Sequence, residues 1–110
     1  MVKLPEIKQG DTFMLGCTSK DSNGNPENLA NTTIYSQLRM SANNYLLQEF
    51  QVIILDQTAY TGQFSIGTPT NTQQNWPVGV HLMDIEFKVA NTVTRSETMQ
   101  LPVIKAITND

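Results

Sequence analysis

VGVHLMDIEFKV, residues 78–89, decides the fold. His81, Met83, Ile85, Phe87 and Val89 alternate with Leu82, Asp84, Glu86 and Lys88. That is the period-2 pattern of a strand with one apolar face, whereas a helix would scatter these positions around its axis. The spacing predicts the longest strand of the chain over Val80 to Val89, introduced by Val78 and Gly79. It also sends Asp84 and Glu86, two residues apart, out of the same outward side.

Strand signals of the same kind recur on either side. TIYSQLRM, residues 33–40, sets Ile34, Ser36, Leu38 and Met40 on one face and Tyr35, Gln37 and Arg39 on the other. Further strands are expected over Thr12 to Ser19, Gln63 to Ile66 and Glu97 to Ile107. In SANNYLLQEFQVIILDQ, Leu46, Leu47 and Phe50 would suit a helical turn, but the β-branched Val52, Ile53 and Ile54 favour extended backbone, so Leu47 to Leu55 is read as a strand. Asn23-Gly24 and Pro26 mark a turn after the first strand, Pro69 and Pro77 bound a polar loop, and ANTVT is read as the turn after the longest strand. Six to seven antiparallel strands without a helix predict an all-β, immunoglobulin-like two-sheet sandwich filling residues 1–110 as a single domain. A small β-barrel is the alternative.

Length and composition narrow the function classes. A chain of 110 residues can bury a real core without staples. Its formal net charge is −3 with seven scattered Lys and Arg, which argues against nucleic acid, since phosphate binding needs a concentrated basic surface. No run of about 18 apolar residues is present to span a bilayer, and MVKLPEIKQGD lacks the apolar core of a signal peptide. The expectation is synthesis in the cytoplasm with no membrane partner. One cysteine, Cys17, excludes an internal disulfide and reads as a buried hydrophobe in FMLGCTS.

No reaction is spelled out by the remaining residues. Asp84 and Glu86 could do acid–base work only across a cleft, and on an outward strand face they read as solvated or partner-facing surface. His81, the single histidine, has no HxH, HxxxH or CxxC companion and belongs to the apolar series of its strand. DSNGNPEN resembles a calcium loop in its oxygens at Asp21, Asn23 and Asn25, but Thr32 stands where the twelfth-position Glu should be, and a turn fits better. GQFSIG matches no phosphate loop. Neither a cofactor, a metal nor a catalytic residue is expected. Trp76 in its polar loop, with Tyr60 and Phe64, offers a stacking surface for sugar or a protein contact.

Two longer stretches are similar to a known family. IKQGDTFMLGCTSKDSNGNPENLANTTIYSQLRM resembles the opening of small immunoglobulin-like domains in tailed-bacteriophage virion proteins, with a "GDT", an apolar strand, an Asn/Asp-Gly turn and a strand ending in Arg. WPVGVHLMDIEFKVANTVTRSETMQLPVIKAIT resembles their close, with Gly79, Asp84, Ile85, Val103 and Thr108 in matching places. The likeness is nearest to the N-terminal domain of phage baseplate upper proteins and leaves Ser41 to Gln57 poorly matched; Asn31 replaces a usual Gly, and His81 a frequent aromatic.

The resemblance implies a non-enzymatic structural protein of a phage or prophage particle, in the tail, baseplate or head–tail region. Other virion proteins and further copies of the chain are its implied partners, and the virion its implied location. It gives Asp84 a role in local hydrogen bonding or a contact between subunits. Asn23, Asn25, Gln73, Trp76, Leu82, Asp84 and Glu86 are the expected interaction surface. The alternative is a glycan-binding or adhesive module built on Trp76 and its polar neighbours.

Overall fold

The computed structural model describes residues 1–69 and 73–108. Among these there are ten strands and no helix: β1 (Val2–Lys3), β2 (Ile7–Lys8), β3 (Met14–Thr18), β4 (Thr33–Met40), β5 (Leu46–Glu49), β6 (Gln51–Ile54), β7 (Gln63–Gly67), β8 (Gly79–Val89), β9 (Thr92–Arg95) and β10 (Met99–Ile104). They form two sheets. The larger runs β1-β10-β8-β4-β5, with β2 also on β10 and β9 also on β8; the smaller runs β3-β7-β6. Neither closes into a barrel, so the barrel alternative is set aside.

β8 and β4 are the spine. They pair antiparallel from Thr33↔Lys88 to Met40↔His81, and the alternation read from sequence holds through Phe87, while Val89 at the end of the same row is exposed. Ile34, Ser36, Leu38, His81, Met83 and Ile85 are buried, while Tyr35 is exposed and Leu82, Asp84 and Glu86 are half-buried on the other side. Ser36 keeps its place in the apolar row because its hydroxyl donates to the Asp84 carbonyl at 2.7 Å, which satisfies the group that burial would otherwise strand. Phe64 and Ile66 of the smaller sheet meet Leu38, Met83, Leu101 and Val103 of the larger in one cluster.

Four features depart from the sequence reading. Leu47 to Leu55 is not one strand: β5 pairs with β4 in the larger sheet and β6 with β7 in the smaller. The chain changes sheets at Phe50, whose side chain turns into the core while its N–H donates to the Ser36 carbonyl at 2.9 Å. ANTVT is not all turn. Ala90 and Asn91 alone reverse the chain, and β9 runs back on β8 with Val89↔Thr92 as the first pair. The N-terminal segment, given no strand from sequence, lies parallel to β10 in two short pieces, Val2↔Met99 and Ile7↔Val103. Finally, β9 and β10 occupy the same edge of β8 with a break at Ser96, whose hydroxyl accepts from the Ile85 N–H at 2.9 Å.

Candidate interaction face

The outward side of the larger sheet carries the chemistry, and its layout follows from register. Tyr35 lies opposite Glu86, and Glu86 opposite Arg95. One pleat along, Glu49, Gln37 and Asp84 form a row across β5, β4 and β8. The next row holds Leu46, Arg39, Leu82 and Gln100. Together these strands floor a shallow groove of about 560 Å³ that also touches Asn44 and Thr98.

The charges in this groove are unequally satisfied. Glu86 holds Arg95 at 3.2 Å, an exposed pair of little energetic weight. The Arg39 guanidinium is held by two neutral oxygens, Gln37 Oε1 at 2.8 Å and the Asn44 carbonyl at 3.0 Å. Asp84 and Glu49 have no cation within ion-pairing reach among the described residues. Tyr35, 48% exposed, and Leu46, 40% exposed, add apolar area beside them.

Asp84 therefore stands on the outer face, and the lone imidazole does not share it. His81 is buried on the core side of the same strand, with Nε2 2.6 Å from the Pro77 carbonyl, to which it can only donate. Its Nδ1 has no hydrogen-bond partner among the described residues. Side chains an odd number apart on a strand leave opposite faces, so His81 and Asp84 cannot act on one substrate atom. Among the described residues no three His, Cys, Asp or Glu side chains gather as a metal site. Cys17 is half-buried, and burial raises its pKa above the usual thiol value.

The expected surface residues divide into three places. Leu82, Asp84 and Glu86 share the groove. Asn23 and Asn25 lie beyond the end of β3, in a loop closed by Asp21 Oδ1, which accepts from both of their N–H groups at 2.9 and 3.0 Å. Those bonds and Gly24 at φ +84° make the loop a turn, and both Asn side chains are exposed. Gln73 is exposed near Gly10, just before β8, at the far end of that strand from the Asn loop's neighbours. The preceding part of that loop, residues 70–72, is outside the described residues.

Trp76 requires a correction. It is only 2% exposed and cannot serve as a stacking platform or an interaction residue. Its ring packs edge-on against Phe13 and Phe50, at centroid distances of 6.1 and 5.9 Å, and Nε1 donates to Gln48 Oε1 at 3.4 Å. The buried Gln74 holds the segment in: Nε2 donates to the Lys8 and Asp11 carbonyls and Oε1 accepts from the Trp76 N–H at 3.0 Å. Polar neighbours in sequence hid this burial, because Gln74 bonds to backbone rather than to water. Arg39 and Glu49, which the sequence reading left out of the surface, belong to it through strand pairing: β4 on β8 sets Arg39 diagonal to Asp84, and β5 on β4 brings Glu49 into the same row as Asp84.

The chain matches no family model, and no curated protein matches it.

Proposed function

We propose that the chain is a non-enzymatic structural component of a tailed-phage or prophage particle, built as an immunoglobulin-like sandwich that docks onto other virion subunits. The strand order supports the fold part: β10-β8-β4-β5 and β3-β7-β6 can be laid onto the two sheets of a variable-type immunoglobulin domain if the first strand is taken to the β10 edge. The sequence resemblance at both ends of the chain supports the virion part.

The observation that carries the reading is the outer face of the larger sheet. It joins open charges of both signs to exposed Tyr35 and Leu46 on a rigid five-strand platform, the composition of a surface made to be covered by another protein. The separation of His81 from Asp84 favours the same conclusion, since the ionisable groups best suited to acid–base work cannot converge. Peptide mass fingerprinting of purified particles tests it: the chain is expected among the virion proteins at a fixed stoichiometry, and its absence from particles whose genes are expressed overturns the proposal.

Of the aromatics that the sequence offered to a glycan-binding module, Tyr60 is exposed at 52%, while Trp76 and Phe64 are in the core. A glycan array with wild type and Tyr60→Ala decides this, and equal signals near background eliminate it.

A further inference from the structure

Two charges of the groove, Arg39 and Asp84, are complementary to each other across a two-fold axis. Arg39 and Asp84 are diagonal neighbours on the face, since Arg39 pairs with Leu82 and Gln37 with Asp84. Such diagonals lie about 7–8 Å apart. They do not pair with each other within the chain: Arg39 turns to Gln37 and Asn44, and Asp84 has no partner among the described residues.

We infer that this face is a homodimer interface, in which a second copy of the chain packs its own β10-β8-β4-β5 face on the first with each Arg39 over the other copy's Asp84. An axis lying in the plane of the face, midway between the two side chains, exchanges them and makes both ion pairs at once. Ideal strand spacing then puts Leu82, on β8 next to Arg39, close to its own counterpart near the axis. Four strands about 4.8 Å apart, averaging about seven residues at about 3.3 Å each, present roughly 450 Å² of face. That is a little over half the ~800 Å² per partner of a standard interface, the size of a weak, reversible contact, so the pair of ion bridges and the Leu82 contact are needed to hold it. The inference rests on the structural-protein reading above but names its partner as a copy of this chain.

Charge exchange tests it. Sedimentation velocity on the full chain is expected to show a dimer that dissociates as salt is raised toward 1 M, where the Debye length is about 3 Å. Arg39→Asp sets acid against acid at both bridges and Asp84→Arg sets base against base, so each variant alone is expected to dimerise at least about a hundredfold more weakly. An equimolar mixture of the two variants matches all four charges, and is expected to restore a mixed dimer. Circular dichroism confirms that each variant is folded; Arg39→Gln and Asp84→Asn, weaker by about tenfold each, replace any that is not. A wild type that stays monomeric at all concentrations, singles that dimerise like wild type, or a mixture that stays monomeric each overturns the inference. Presence of the chain in purified particles is a separate readout, so a monomer found in virions removes the dimer and leaves the structural role standing.

Discussion

Trp76 departs from the role its sequence context suggests, while Asp84 keeps the outward place that the strand alternation gives it. The aromatic ring, the apparent binding group, is a core residue between Phe13 and Phe50, and the carboxylate, set among apolar neighbours in sequence, is on the open face. Trp76→Ala is therefore expected to cost about 3–5 kcal/mol of stability by urea denaturation, the range for emptying a buried aromatic site. Asp84→Asn is expected to change the stability of the isolated chain by less than about 0.5 kcal/mol, because none of the described residues forms an ion pair with it. Cys17 follows from its burial. Its raised pKa keeps the thiol protonated in the fold, so alkylation of native protein at pH 8 should be many times slower than in urea. The linked stability contribution is complete below the ordinary thiol range and is lost as pH rises through the elevated folded value.

The alternation in TIYSQLRM and in GVHLMDIEFKV was legible because each strand has one wet and one dry face, and β4 begins and ends where the pattern does. The pieces that were not legible lack that contrast. Val2–Lys3 and Ile7–Lys8 are two-residue strands, too short for any period, and exist because the β10 edge was free to receive them. Thr92–Arg95 is exposed on every residue, so nothing apolar announces it. QEFQVI conceals a change of sheet because Phe50 points inward in a segment whose flanks belong to different sheets. The β8–β9 turn gives a prediction at this scale. Ala90 sits at φ +52°, a left-handed conformation that costs a residue with a Cβ about 1–2 kcal/mol, so Ala90→Gly should raise stability by about 0.5–1 kcal/mol in thermal melts. The break between β9 and β10 gives another. Ser96→Ala leaves the Ile85 N–H without its acceptor and is expected to cost about 1–3 kcal/mol.

At the scale of the whole molecule, the two sheets divide the labour. The inner faces supply one apolar cluster, from Ile34 and Leu38 through Met83 to Phe64 and Ile66. The outer face of the larger sheet holds the open charges, and residues that are far apart in sequence, Arg39, Glu49 and Asp84, meet there only through strand pairing. That is why the sequence offered Leu82, Asp84 and Glu86 as a surface but could not complete it. A rigid sheet with its polar groups fixed by ladder bonds suits permanent contact with another folded surface, which is the role we propose for it in an assembled particle. Quantitative mass spectrometry of particles purified by density gradient from the host that encodes this chain is the direct test. The account predicts its peptides in the particle band, in constant ratio to the major virion proteins. Their confinement to the soluble fraction of the lysate, with the particle band free of them, would contradict it.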